Sequence, residues 1–169
     1  QRFIQAGGGY VGIHAAADAE YDWRWYGSLV GGYFLSHPDQ QEATVRIVDA
    51  KDASASHLPS AWTRKDEWYN YKLLGKDLHV LATLDESTYT GGENGAVHPI
   101  SWQHTFDGGR AWYTGMGHTV ESYGDSLFLK HVLGGIRYAV GERRALDYAK
   151  ATAERTPSDS LFRKVALTM

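Results

Sequence analysis

The chain has 169 residues, enough for one domain with a sizeable core, and carries a formal net charge of −3. Its Lys and Arg form no basic stripe, which argues against nucleic acid, and no apolar run approaches a bilayer span, so no membrane partner is expected. With zero cysteines, disulfides, thiolate metal sites and a cysteine nucleophile are excluded. Six Trp and eleven Tyr are many for this length and sit in polar surroundings, as suits a site that is part apolar and part hydrogen-bonding.

Gln1 to Ala6 reads as the end of a helix, stopped at Gly7, and a chain that opens inside a helix reads as lacking an upstream strand and helix. Tyr10 to Ile13 is apolar throughout, which predicts a strand buried on both faces in a parallel sheet. It ends on His14-Ala15-Ala16-Ala17-Asp18. Open α/β sheets bind ligands beyond the carboxyl ends of their strands, so His14 and Asp18 are candidate site residues, with the alanines permitting a tight elbow. From Ala19 to Gly27 four aromatic rings and three charges share one stretch, predicting a loop and helix turn that line a cleft with Tyr21, Trp23 and Trp25. Ser28 to Phe34 should be buried beside the first strand, and His37-Pro38 marks a turn.

Ala43 to Val48 alternates as a strand with one wet face, and the polar loop that follows places His57 at the surface. Trp62 to Tyr71 predicts one continuous strand with Asp66, Trp68 and Asn70 on one face and Glu67, Tyr69 and Tyr71 on the other. Only one acid can then face inward. Glu67 is the choice, and burial beside rings would raise its pKa and suit it to proton donation. Leu78 to Leu84 is a strand, Asp85 to Val97 a mobile flap, and His98 to Phe106 and Arg110 to Thr114 a hairpin around Asp107-Gly108-Gly109. The return strand delivers Gly115-Met116-Gly117-His118, with Glu121 nearby. Phe128 to Val140 has helical spacing, with His131 structural, and Leu161 to Leu167 reads as the first strand of a further unit.

Five segments, Gly-Ile-His-Ala-Ala-Ala-Asp (12–18), Gly-Tyr-Phe-Leu-Ser-His-Pro (32–38), Asp-Glu-Trp-Tyr-Asn (66–70), His-Pro-Ile-Ser-Trp (98–102) and Gly-Met-Gly-His-Thr-Val-Glu-Ser-Tyr (115–123), together resemble the ThuA-like family. The resemblance covers about residues 1–141 and leaves 142–169 as a linker and possible start of a following domain. It implies an α/β fold, flavodoxin-like and related to class I glutamine amidotransferases: a three-layer sheet with helices, with an antiparallel hairpin near the C-terminal part. His14 stands where those enzymes carry their cysteine, and His118 with Glu121 is similar to their His-Pro-Glu motif, spaced one residue wider. An imidazole cannot replace that thiolate as acyl acceptor, so glutamine hydrolysis is excluded. The family is associated with trehalose utilisation and sugar metabolism, which implies a carbohydrate partner. The tail also resembles the linker to a sugar-dehydrogenase-like propeller in larger proteins, which favours a fused propeller and an exported protein.

The first functional reading is acid–base chemistry on a disaccharide or oxidised (keto) sugar, with His14, Asp18, Glu67, His118 and Glu121 as catalytic candidates. Tyr21, Trp23, Trp25, His37, Trp68, Tyr69, His98 and Trp102 are the candidate substrate contacts. The alternative is a non-catalytic carbohydrate-binding module in which Trp23, Trp25, Trp68 and Trp102 stack on sugar faces. No cofactor is expected. A third reading has His14, His37, His98 and His118 converge with Glu67 on a metal ion, although no short motif such as His-x-x-x-His is present.

Overall fold

A computed structural model describes residues 1–141 and 145–152, and the backbone of 162–164. In chain order the elements are α1 (Arg2–Gln5), β1 (Gly9–Ile13), α2 (Arg24–Val30), β2 (Gly32–Ser36), β3 (Gln41–Ile47), β4 (Ala61–Asp66), β5 (Asn70–Gly75), β6 (His79–Asp85), β7 (His98–Phe106), β8 (Gly109–Thr114), α3 (Ser126–Val140) and β9 (Phe162–Lys164). Six strands form one sheet in the order β1-β8-β7-β6-β3-β4, and β2-β5-β9 form a second. The fold is α/β, of the flavodoxin-like class, but β1–β8 is the one parallel pair among the described strands. β1 is accordingly half-buried and not sealed on both faces, a correction to the reading of its apolar run.

The layers follow from alternation along β8. Ala111 packs with Trp25 and Leu29 of α2, whereas its neighbour Trp112 lies under Gly135 of α3. Successive side chains point to opposite faces, so the two helices cover opposite sides of the sheet. A β-carbon at Gly134 or Gly135 would collide with the Ser54 backbone or the Trp112 ring, and the paired glycines let α3 lie that close. The hairpin between β7 and β8 turns on Asp107 and Gly108, with φ of 46° and 92°, the double left-handed turn that Asp-Gly sequences favour.

Three sequence expectations are corrected. Ser28 to Phe34 splits at Gly31 (φ 93°) into α2 and β2, and β2 pairs with β5 instead of lying beside β1. Trp62 to Tyr71 is two strands, because Glu67 to Tyr69 cross from the large sheet to the small one. The 85–97 segment is anchored, not a free flap: Asn94 bonds both the amide and the carbonyl of Tyr71 (2.9 Å each), and Glu86 accepts from the amides of Asn94 and Gly95. Asn70 adds bonds to the Gly91 carbonyl and the Glu93 amide. In the tail, the Asp147 amide donates to the Ala6 carbonyl (2.9 Å) and β9 pairs with β5. The rest of 142–169, and with it the expected following domain, lies outside the described residues.

Five of the six tryptophans are buried, which corrects the reading of the aromatic excess as cleft lining. Four of these donate their indole N–H inside: Trp68 to the Gln41 carbonyl (2.8 Å), Trp102 to the Val30 carbonyl (2.8 Å), Trp25 to Asp107 (2.7 Å) and Trp112 to the Ser54 hydroxyl (3.2 Å).

Candidate functional site

β1 runs extended through Ile13 and then His14 adopts φ +45°, a left-handed backbone uncommon for residues with a β-carbon. The chain turns over Ala15 to Ala17, whose small side chains allow the elbow. Because Ile13 pairs with Thr114 of β8, the next residues of the two strands also lie together, and His14 Nδ1 donates to the Gly115 carbonyl at 2.9 Å. A carbonyl can only accept, so this bond fixes the proton of the neutral ring on Nδ1 and leaves Nε2 with its lone pair. Tyr69 packs against the imidazole at 4.0 Å between ring centroids, and Tyr113 donates its hydroxyl proton to the His14 carbonyl (2.9 Å).

Asp66 ends β4 and Glu67 follows it on the crossing, with different tasks. Asp66 is fully buried and accepts from the amides of Gly117 (2.8 Å), His118 (3.0 Å) and Glu67 (3.0 Å), from the Ser122 hydroxyl (3.2 Å) and from Arg64 (3.3 Å). Its lone pairs are consumed in shaping the turn that presents His118. Burial pulls the Arg64 guanidinium below its ordinary value, opposed by the charges of Asp66 and Asp125.

Glu67 meets imidazoles instead. Its Oε2 lies 3.1 Å from His14 Nε2 and 3.3 Å from His118 Nδ1, and those two nitrogens are 3.1 Å apart. Its Oε1 lies 3.5 Å from His37 Nδ1, on the turn after β2. The carboxylate and His14 are buried, whereas His118 and His37 are exposed and mark the side open to solvent. Burial pushes the Tyr69 phenol up to about 12, with the charges of Glu67 and Asp18 adding to it, so its proton stays on at neutral pH. Three ligand-type atoms, from His14, Glu67 and His118, thus face one point.

The profile of a family described as trehalose utilisation, ThuA, matches residues 1–139. The chain belongs to the ThuA family. It is similar to the solved structure of a ThuA-like protein from Bacteroides uniformis, at 25% identity and TM-score 0.72, covering 87% of this chain and 64% of that one. A ThuA-like protein from Parabacteroides merdae matches at 19% identity and TM-score 0.63 over 85% of this chain and 65% of its own. The cytoplasmic protein STM3548 from Salmonella typhimurium shares the fold at 10% identity and TM-score 0.55, over 81% and 57%. The chain therefore spans less than two thirds of the length of each of these relatives. No curated protein matches it.

The ThuA family belongs to the glutamine amidotransferase-like superfamily, and in this ThuA domain the elbow after β1 carries an imidazole. Of the predicted catalytic residues the fold gathers His14, Glu67 and His118, with His37 and Tyr69 against them. Asp18 is exposed and accepts from the Tyr21 hydroxyl, and Trp23 is exposed and stacks on Trp25 at 5.2 Å. Glu121 does not join: it is exposed on the turn Val120–Gly124. Trp25, Trp68 and Trp102 are core residues with no free face for a ligand. His98 is corrected likewise, being fully buried with Nε2 on the Tyr69 carbonyl and Nδ1 on Glu86 (2.8 Å each), so it braces the Tyr69 backbone and is not available to the metal set. Sequence reasoning missed Asp66, because a single alternating strand allows only one of two adjacent acids to face inward; the signal was its adjacency to Glu67.

Proposed function

We propose that this ThuA domain processes a carbohydrate, a disaccharide or an oxidised keto sugar, by acid–base chemistry of His14, Glu67 and His118. The observation that carries the reading is the buried Glu67 carboxylate facing three imidazoles at 3.1, 3.3 and 3.5 Å beside an opening to water. Imidazole exchanges protons near neutrality, and a carboxylate beside it stabilises the charged form. The family's association with trehalose utilisation supplies the substrate class.

Glu67 is the one candidate acid within the imidazole cluster, which favours keto-sugar elimination over hydrolysis by paired carboxylates. In the elimination an imidazole takes the proton from the carbon next to the ketone, and the electron pair moves toward the carbonyl oxygen. As that pair returns, the ketone re-forms, a C=C bond is made and the glycosidic C–O bond one carbon further breaks, the leaving oxygen taking a proton from a neighbouring acid of the cluster. A binding module built on four stacking tryptophans has less support, since Trp23 alone of the four is exposed.

The test is a panel of disaccharides and their 3-keto forms, assayed for turnover and binding with His14→Asn and His118→Asn. Lost turnover with retained binding agrees with the proposal. Intact binding without turnover by the unsubstituted chain on every sugar would sink it in favour of the binding module.

A further inference from the structure

We infer that His14 Nε2, Glu67 Oε2 and His118 Nδ1 form a facial binding site for one divalent first-row transition cation. The inference deepens the acid–base reading, since it uses the same three side chains, but binding of the ion stands on their geometry alone.

Three observations carry it. The triangle has sides of 3.1, 3.3 and 3.1 Å. With metal–ligand bonds of about 2.1 Å, neighbouring ligands sit about 3.0 Å apart in an octahedron and about 3.4 Å apart in a tetrahedron. All three edges fall in that range.

The Gly115 carbonyl holds the His14 proton on Nδ1, so its Nε2 can only accept while the ring is neutral. A neutral His118 brings at most one proton into the triangle, and one proton bridges two of three atoms well. A cation at the centre satisfies all three lone pairs together.

The third observation is orientation. Metal-bound histidines have their other nitrogen held by a carbonyl or carboxylate, as His14 is by Gly115. The turn carrying His118 is clamped through its own amide by Asp66, and Tyr69 packs on the His14 ring. The buried Glu67 and His14 back the site, and the coordination positions left over face the side where His118 is exposed. Two imidazoles and one carboxylate suit Zn²⁺, Fe²⁺ or Mn²⁺ better than Mg²⁺ or Ca²⁺, which prefer oxygen ligands. An ion there would polarise a substrate carbonyl or hydroxyl bound at an open position.

The experiment strips the purified chain with chelator and titrates it separately with Zn²⁺ and Mn²⁺ by calorimetry, with Co²⁺ as a spectroscopic probe. One ion per chain is expected. His118→Ala, at an exposed position that preserves folding, should weaken binding by at least the roughly 100-fold that loss of an outer partner can cost, and should abolish the visible Co²⁺ band. His57→Ala, remote from the triangle, should leave both unchanged. The absence of a saturable site, or equal binding by the unsubstituted chain and His118→Ala, overturns the inference. Sugar turnover by a chain that shows no saturable ion binding on titration overturns the metal site and leaves the acid–base reading standing, whereas a bound ion in a chain that turns over no sugar does the reverse.

Discussion

Two buried histidines set the core beneath α3 against the end of β1. His131 is sealed against Trp112, with ring centroids 4.8 Å apart; its Nδ1 donates to the Ser54 carbonyl at 2.7 Å and its Nε2 faces the Ser101 hydroxyl at 3.1 Å. His14 also gives Nδ1 to a backbone carbonyl, yet its Nε2 meets a carboxylate and a second imidazole. Burial and a carbonyl partner are common to both. What separates the two is the atom opposite the second nitrogen, a hydroxyl for His131 and a carboxylate with a second imidazole for His14. Asp66 and Glu67 repeat the lesson one residue apart: Asp66 is saturated by amides, a hydroxyl and Arg64, and Glu67 by groups that exchange protons.

Substitutions sharpen that contrast. The largest effect is expected from Asp66→Ala, which strands the buried Arg64 and the amides of 117 and 118; it should cost about 3–5 kcal/mol in chemical denaturation. Glu67→Gln should instead leave the melting temperature within a few degrees while turnover of a keto-sugar substrate falls by about 10³-fold, near 4 kcal/mol of barrier. A Glu67→Gln chain that unfolds as readily as Asp66→Ala would erase the distinction between the two acids.

The next effect belongs to His131. Burial drives its pKa down from 6.5 to about 4, so between those values the unfolded chain holds the proton and the native one does not. Stability therefore falls as pH drops through this window, by about 3 kcal/mol from this group between pH 7 and pH 4. Urea denaturation at pH 4.5 to 7 should show that slope, and His131→Gln should flatten it. Smallest is Trp23→Ala at an exposed position that stacks on Trp25, expected within about 1 kcal/mol of the parent in chemical denaturation.

Much of this was legible in advance. Alternation marked β3, the strand runs over 78–84, 98–106 and 110–114 marked β6, β7 and β8, Asp107-Gly108-Gly109 marked the β7–β8 hairpin, and an apolar strand running into His14 and three alanines marked the elbow. The crossing at Glu67 to Tyr69 was not, because alternation continues on paper through a chain that has already left its sheet. Nor was the fate of the indoles. An indole N–H can be satisfied by a backbone carbonyl such as that of Gln41 or Val30, so polar neighbours in sequence do not keep a tryptophan at the surface. The two His-Pro pairs show the same limit: His37 caps an open turn, whereas the identical dipeptide at 98 begins a buried strand.

Glu67 rides on the three-residue crossing that joins the large sheet to the small one, and its two oxygens look in different directions, toward His14 and His118 at the ends of β1 and β8 and toward His37 beyond β2. The carboxylate is therefore also a mechanical joint. A ligand engaging both oxygens would meet, through one group, residues that follow strands of both sheets.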